Sequence, residues 1–261
     1  DMRPPCFLSP LTLFLNGFII SLNGFIIFQG HIMKKKPAII IPDGADKVLL
    51  HACCAPCSSA IVEWLTEHEI TPVIFYYNPN IFPLEEYNIR KAESQRHANT
   101  LGIHWIDGDY DHDLWLSQIK GLEAEPERGS RCSKCFRIRL TATAMQAAQL
   151  GIKVFATTLA SSRWKNLEQI NEAGLQAQAD VPGTLFWAQN WRKGGLYERR
   201  NTLLKQYDFY NQLYCGCEFS MRTGCSNNGT ADISKQGDCQ ADNSSLCNNN
   251  GTADISCGIQ P

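Results

Sequence analysis

The chain has 261 residues, which is long enough for one large α/β domain with a well-buried core. Its composition, 44% hydrophobic and 19% charged, is ordinary for a globular protein. The formal net charge of −2 gives no global sign of nucleic-acid binding. Basic residues do gather in two places that suit either phosphate contact or a solvated helix face: Arg128, Arg131, Lys134, Arg137 and Arg139, and then Arg192, Lys193, Arg199 and Arg200.

Twelve cysteines are many for this length, and they allow two interpretations, an oxidised disulfide framework or a reduced protein that binds metal. The spacing decides between them. Cysteines that are adjacent, such as Cys53 and Cys54, or one residue apart, such as Cys215 and Cys217, rarely pair with each other. The same spacing suits thiolates that converge on a metal, so the sequence predicts a metal-binding protein.

Both ends of the chain are expected to be peripheral. Residues 11–28 form an apolar stretch long enough to span a bilayer, but it contains the near-duplicate NGFII and lacks the flanks of a signal peptide. We therefore interpret 1–32 as a non-native or peripheral extension before Met33, and we expect no membrane association. Residues 223–261 repeat NNGTADIS and lack large apolar side chains, which predicts a disordered tail. This leaves 33–222 as the main folded domain.

Between these ends, strand and helix patterns alternate. Short apolar runs predict four strands, at 47–52, 72–77, 103–106 and 154–159. Helical spacing predicts a helix capped by Ser58 and Ser59, and further helices at 84–101, 114–121 and 131–150. Such alternation implies a Rossmann-like parallel sheet with helices on both faces.

Ligands of such sheets bind beyond the carboxyl ends of the strands, and the loop after the first strand is HACCAPCSS. This loop is neither GxGxxG nor a P-loop, nor the SGGxDS loop of ATP pyrophosphatases. Cysteine occupies the place where a nucleotide-binding enzyme keeps glycine. The site is therefore expected to hold metal and not a nucleotide.

Three cysteine clusters make up the predicted site. Two adjacent thiols, Cys53 and Cys54, are expected to reach different atoms of a large cofactor, because binding one small ion would strain them. Cys132 and Cys135 lie one helical turn apart, and Gly216 permits a sharp turn between Cys215 and Cys217. With Cys57 the clusters hold seven thiols, more than the four of structural zinc and enough for an iron–sulfur cluster with a surplus. The CxxC pair alone fits structural zinc or a redox dithiol equally well.

Five blocks of this sequence closely resemble the cobalamin-independent epoxyqueuosine reductases, the QueH family. They are HACCAPC at 51–57, YYNPNIFPLEEYNIRKAE at 76–93, RCSKCFRIRL at 131–140, TTLASSRWKN at 157–166 and YCGCEFS at 214–220. The chain departs from the family pattern at two places, Asn190-Trp191 and the turn at 161–164.

The resemblance implies an adenine-nucleotide-hydrolase-like α/β fold that carries a [4Fe–4S] cluster and an adjacent mononuclear iron. It implies that the ligands are the seven clustered cysteines and leaves their division between the two metal sites open. It also implies reduction of the epoxide of epoxyqueuosine to give queuosine at the wobble position of tRNA, in the cytoplasm, with electrons from an external donor. Rival interpretations are a zinc-stabilised, non-catalytic RNA-binding module, a tRNA thiolase and a membrane-tethered redox carrier.

Reducing an epoxide to an alkene consumes two electrons and two protons and releases water, so the site needs proton donors. The candidates at the predicted rim are His51, Tyr77, Asp109 and Asp111, although a histidine at a strand end is often only a hydrogen-bonded structural residue. Recognition of a base in an RNA loop needs aromatic rings and cations. The residues predicted for that role, with surface charge as the alternative for the cations, are Tyr87, Arg90, Arg131, Lys165 and Arg192.

The interpretation of both ends can be tested by truncation. A variant beginning at Met33 and a variant ending at Arg222 should both keep the metal content and the unfolding midpoint of the full chain, because the predicted core lies between these residues. Metal per chain and thermal unfolding measure this. Loss of metal or of folding in either variant would show that the removed segment is structural.

Overall fold

The computed structural model of the protein describes residues 41–221 and, before them, the backbone of three short strands. These are β1 (Leu13–Leu15), β2 (Phe18–Ile20) and β3 (Ile26–Ile27), which pair antiparallel in that order. The rest of the 1–32 extension, the start expected at Met33 and the whole 223–261 tail lie outside the described residues.

A five-stranded, fully parallel sheet forms the centre of the described domain. Its strands are β4 (Lys47–His51), β5 (Thr71–Tyr76), β6 (Trp105–Asp107), β7 (Val154–Thr157) and β8 (Leu185–Phe186), in the order β6-β5-β4-β7-β8. The central strand β4 pairs with β5 on one side and with β7 on the other. Its residues Val48, Leu49 and Leu50 are completely buried, as expected for a parallel strand covered on both faces.

The described residues form six helices: α1 (Ala55–Glu67), α2 (Leu84–Thr100), α3 (His112–Gln118), α4 (Ser130–Gln149), α5 (Leu167–Asp180) and α6 (Leu196–Gln206). Of these, α1, α2, α4 and α5 pack on the sheet. Helix α1 connects β4 to β5 and helix α2 connects β5 to β6, so both connections run towards one edge of the sheet. Helix α5 connects β7 to β8 and runs towards the opposite edge. Because such crossovers are right-handed, these helices lie on opposite faces. Accordingly α1 packs against α2 and α6, while α4 packs against α5. The predicted parallel sheet with helices on both faces is confirmed.

The first helix begins earlier than the sequence pattern predicted. It starts at Ala55, with Cys54 as its N-cap and Pro56 in its first turn, a position that proline tolerates because the first amides of a helix have no intrahelical acceptor. Ser58 and Ser59 therefore do not cap the helix. Their hydroxyls donate to backbone carbonyls in its first turn, those of Cys54, Ala55 and Pro56. The helix thus begins inside the cysteine motif.

Other differences from the predicted elements lie in the second half of the chain. The fourth strand ends at Thr157, and the next four residues form a 3-10 turn, Thr158–Ser161. The third strand begins two residues later and ends one residue later than predicted, at Trp105–Asp107. The elements α5, β8 and α6 were not predicted. Within the part of the chain that the structure describes, no helix combines the length and apolar character needed to cross a bilayer.

Helix α5 packs closely on the last strand at Gly174. A Cβ atom built there would lie 2.3 Å from the ring of Phe186. Gly174→Ala should therefore lower the free energy of unfolding by about 1–3 kcal/mol through overpacking, although alanine favours the helix. Chemical denaturation measures the change. Leu175→Ala is the control on the same helix, because Leu175 is 52% exposed and its truncation should change the free energy of unfolding by less than about 0.5 kcal/mol. An unchanged stability in Gly174→Ala would contradict the packing.

Candidate metal centre

Three thiols converge directly after the central strand. Cys53 follows β4, Cys54 caps α1 and Cys57 lies in the first turn of α1. Their sulfur atoms all lie within 4.8 Å of one another, and those of Cys53 and Cys54 are 3.9 Å apart. Metal–sulfur bonds of about 2.3 Å in a tetrahedral site put two sulfurs about 3.8 Å apart. The spacing of Cys53 and Cys54 thus also suits a single ion, and the expectation that they reach different atoms of a larger cofactor stays a prediction.

These three thiols ionise unequally. Hydrogen bonds from the thiols of Cys54 and Cys57 hold the pKa of Cys53 below its usual range, and the positive charges of Lys165 and Arg139 act in the same direction. The hydrogen bond to Cys53 in turn raises the pKa of Cys57 to about 11. The first negative charge of the group therefore forms at Cys53, and further thiolates require a cation to bind.

Two side chains that the sequence analysis did not single out donate hydrogen bonds to this group. The hydroxyl of Thr158 lies 3.3 Å from the Cys53 sulfur and also accepts from the Cys53 amide at 3.1 Å. The Gln212 amide nitrogen lies 3.2 Å from the Cys54 sulfur. Donors of this kind orient the sulfurs and stabilise thiolate charge. Thr158 could have been found because it lies near the end of a predicted strand, whereas no pattern marks Gln212.

A second group of four thiols forms between helix α4 and the segment after α6. Cys132 and Cys135 lie in the first two turns of α4, and the Cys132 sulfur accepts from the Arg128 amide at 3.3 Å. Cys135 and Cys217 are buried in one cluster with Trp115 and Ile119. Burial raises the pKa of Cys217 to about 12, and the charges of Cys135 and Cys215 add to it. Burial and Cys215 likewise raise the pKa of Cys132 and Cys135, which places the four thiols in one region. Among the described residues, however, only Cys53, Cys54 and Cys57 bring three sulfurs within 4.8 Å of one another, so the second group is more widely spaced than the first.

The Cys215–Cys217 turn depends on glycine and on Arg90. Gly216 has φ +145, and a Cβ atom there would lie 3.0 Å from the Asn80 side chain and 3.4 Å from the Arg90 guanidinium. Arg90 donates to the carbonyls of Tyr214 and Cys215, both at 3.2 Å, while it pairs with Glu86 at 2.7 Å. It is 3% exposed. The structure thus places Arg90, predicted to contact RNA, behind the metal centre, where it holds the turn.

Lys165 lies beside both groups of thiols. Burial alone would lower the pKa of its ammonium, but the thiols of Cys215, Cys53 and Cys57 outweigh that effect and raise it above the usual range. Its backbone carbonyl accepts from the Arg192 guanidinium at 2.7 Å. Of the five residues predicted for RNA contact, Lys165 is therefore the one whose charge interacts most strongly with the thiols. Arg192 holds the backbone of Lys165 through the hydrogen bond to its carbonyl.

The other predicted RNA contacts are turned inward. Tyr87 is 2% exposed, with its ring 4.1 Å from that of Tyr110. Arg131 is also 2% exposed, donates to the carbonyls of Glu123 and Glu125, and lies over the ring of Phe219. In this structure both side chains are part of the packing beneath the rim.

The predicted proton donors divide into two sets. Tyr77, half-buried at the end of β5, lies near Asp109 and Asp111, and burial together with these carboxylates raises the pKa of its hydroxyl. Asp111 also caps α3, accepting from the Leu114 amide at 2.8 Å. His51 is completely buried, and its ring nitrogens lie 2.8 Å from the Thr157 hydroxyl and 3.1 Å from the Tyr77 carbonyl. Burial and Arg139 lower its pKa to about 3, so His51 is a neutral residue of the framework.

Fold and site together define a Rossmann-like α/β protein with a candidate thiolate metal centre at the carboxyl edge of its sheet, and all seven cysteines of the described part are free thiols. The model of the family described as epoxyqueuosine reductase QueH matches residues 48–223, and the chain belongs to that family. The resemblance found in the sequence is confirmed.

Proteins named epoxyqueuosine reductase QueH are similar to this chain over most of its described part. The protein of Acinetobacter baylyi is 48% identical over 189 residues, 72% of this chain and 87% of that protein. The protein of Haemophilus influenzae is 46% identical over 182 residues, 70% of this chain and 74% of that protein. The protein of Thermotoga maritima is 35% identical over 177 residues, 67% of this chain and 90% of that protein.

The glycine in the Cys215–Cys217 turn can be tested directly. Gly216→Ala should lower the metal bound per chain, because the new methyl group would press on Asn80 and Arg90 and displace both flanking sulfurs. Metal analysis of the purified protein measures this. Gly183→Ala is the matched control, since Gly183 also has positive φ but has no atom within 4 Å of a new Cβ. It should lose some stability and keep its metal. Equal metal content in both variants would contradict the role given to Gly216.

Proposed function

We propose that the protein is an oxidoreductase that converts epoxyqueuosine to queuosine at the wobble position of tRNA, the last step of queuosine synthesis. The observation that carries the proposal is the convergence of three free thiols, Cys53, Cys54 and Cys57, at the carboxyl edge of the sheet in a member of the QueH family. Four further free thiols, those of Cys132, Cys135, Cys215 and Cys217, complete the set. The relatives named above are reductases, which favours an enzyme over a zinc-stabilised, non-catalytic RNA-binding module.

The two groups of thiols suit two different metal centres. Cys53, Cys54 and Cys57 can bind a metal ion, and three protein ligands are the pattern of a catalytic ion that keeps a fourth position open. We assign the mononuclear iron to this group. Four thiolates complete the protein ligands of one cubane cluster, and the second group supplies that number: Cys132, Cys135, Cys215 and Cys217. We assign the [4Fe–4S] cluster to it.

When bound, these metals would supply single-electron transfer and a Lewis acid for the epoxide oxygen. The reaction takes up two electrons and two protons, breaks the two epoxide C–O bonds and releases the oxygen as water. An external donor must provide the electrons. The substrate is the tRNA that carries epoxyqueuosine, and the proposed compartment is the cytoplasm.

Residues around the thiols hold charge and protons for this reaction. The Lys165 ammonium, between the two groups, offsets thiolate charge. Burial and the carboxylates of Asp109 and Asp111 raise the pKa of the Tyr77 hydroxyl, so this hydroxyl stays protonated. We therefore assign Tyr77 as the proton donor of the reaction. Asp109 is exposed and can return a proton from solvent. His51 orients the end of β4 through its two hydrogen bonds.

Metal analysis of cysteine variants tests both the function and the division of ligands. The anaerobically purified protein should be brown, with about five iron atoms and about four acid-labile sulfides per chain, and should reduce epoxyqueuosine in tRNA with a chemical reductant. Cys57→Ala should keep about four iron and four sulfide and lose turnover. Cys217→Ala should lose most of the sulfide.

Cys239→Ala is the control, because Cys239 belongs to the polar tail predicted to be disordered, and it should match the unmodified protein in iron, sulfide and turnover. Stoichiometric zinc without sulfide in the unmodified protein would refute the proposed reductase. Loss of sulfide in Cys57→Ala with retention in Cys217→Ala would reverse the division of ligands while leaving the reaction intact.

A further inference from the structure

Trp164 exposes an unusually large apolar surface next to the metal centre. Its side chain is 56% exposed, in the short segment between the 3-10 turn at Thr158–Ser161 and helix α5. A scattered exposed leucine is normal on a protein surface, but a tryptophan is usually highly buried because its ring offers so much apolar area. The position of this ring therefore requires a physical reason.

The backbone around Trp164 is held from two sides. Arg128 donates through Nε to the Trp164 carbonyl at 2.8 Å, and Arg192 donates to the Lys165 carbonyl at 2.7 Å. Gln169 fixes Arg128 in turn, since its amide nitrogen lies 2.7 Å from the Arg128 carbonyl. Two consecutive carbonyls are thus bound by guanidinium groups from two separate loops. The indole is therefore exposed although its backbone is held in place by hydrogen bonds.

Two hydrogen bonds of Arg128 connect the backbone of Trp164 to the thiols. Arg128 donates through Nε to the Trp164 carbonyl at 2.8 Å and through its amide to the Cys132 sulfur at 3.3 Å. The thiolates of Cys215, Cys53 and Cys57 raise the pKa of the next residue, Lys165. The backbone of Trp164 therefore lies at the edge of the metal centre. Exposed basic residues surround it in sequence and space, among them Arg128 and Arg163. Arg163 is itself oriented, with its guanidinium 3.9 Å from the centre of the Tyr197 ring.

We propose that Trp164 is a stacking platform for an unpaired base that neighbours the modified nucleotide in the anticodon loop. The assignment rests on the proposed function, because it takes the substrate to be tRNA. Bases in single-stranded RNA loops are free to stack on aromatic side chains, and the nearby cations suit the phosphates between them. Stacking one base on Trp164 places the adjacent nucleotide against the thiol groups, so the ring sets the register of the RNA.

A protein electron donor is the other partner that could cover an exposed indole. The positive charges flanking Trp164 and its distance of one residue from Lys165 favour RNA, because the nucleotide that reacts must itself reach the thiols. Arg128 and Arg192 then act as positioning residues for the platform, which accounts for their hydrogen bonds to backbone carbonyls.

The experiment measures RNA binding by the metal-loaded protein, with an anticodon stem–loop that carries 2-aminopurine beside the wobble position. The unmodified protein should quench the fluorescence of 2-aminopurine on binding. Trp164→Ala should bind the RNA roughly 5- to 100-fold more weakly and lose the quenching, while Trp164→Phe keeps part of both. The dependence of affinity on salt should not change in Trp164→Ala, since no cation is removed.

Met145→Ala is the matched control, because Met145 is 59% exposed on the distal half of α4, away from the thiols, and it should bind like the unmodified protein. Full affinity and full quenching in Trp164→Ala would overturn the platform and leave the reductase standing. If the unmodified protein neither binds the RNA nor reduces epoxyqueuosine, the proposed function fails and the platform with it. If Trp164→Ala binds RNA normally but is slow only with a protein reductant, the ring serves an electron donor and the RNA assignment is wrong.

Discussion

The parallel pairing of β4 with both β5 and β7 is the interaction on which the rest of the site depends. A strand that is paired on both sides and buried on both faces cannot shift its register without exposing its apolar residues. Cys53 comes two residues after this strand, so its position is fixed as firmly as the core. The start of α1 at Ala55 then turns Cys54 and Cys57 towards the same point. Three sulfurs are thereby held by the most rigid part of the fold.

Charge compensation is the second requirement, because the seven thiols would carry several negative charges if they bound metal as proposed. The cations near them are largely internal. Arg139 is 2% exposed, donates to Asn78, and thereby supports the hydrogen bond from Asn78 to the Ala52 carbonyl at 2.9 Å. Arg90 and Lys165 are likewise directed at the cysteine segments. Basic residues that look in the sequence like phosphate contacts are here in part counter-charges for sulfur.

The sequence predicted those features that depend on local pattern. Apolar runs such as 47–52 identified the central strands. The clustering of Cys53, Cys54 and Cys57 pointed to the candidate site, because a parallel sheet puts strand ends at one edge. Features that depend on long-range packing were not predictable. Helix α6 has a mainly polar sequence and becomes ordered by packing on α1. Whether Arg131 faces solvent or Phe219 depends on a segment almost ninety residues away in the chain, and no local pattern contains that information.

The two groups of thiols differ in how far apart in the chain their members lie. Cys53, Cys54 and Cys57 lie within five consecutive residues. A metal bound to them closes only a very short loop and therefore adds little stability to the fold. Cys135 and Cys215 are 80 positions apart, and a cofactor shared between them closes a loop of that size, a cross-link worth about 4.5 kcal/mol in chain entropy. With the ligands divided as proposed, the cluster would act as a stabilising cross-link as well as a redox centre. Its oxidative destruction would remove this cross-link and leave the segment after α6 held by weaker contacts, such as the hydrogen bonds from Arg90 to the Tyr214 and Cys215 carbonyls. Loss of the cofactor would then make this segment easier for proteases to cleave.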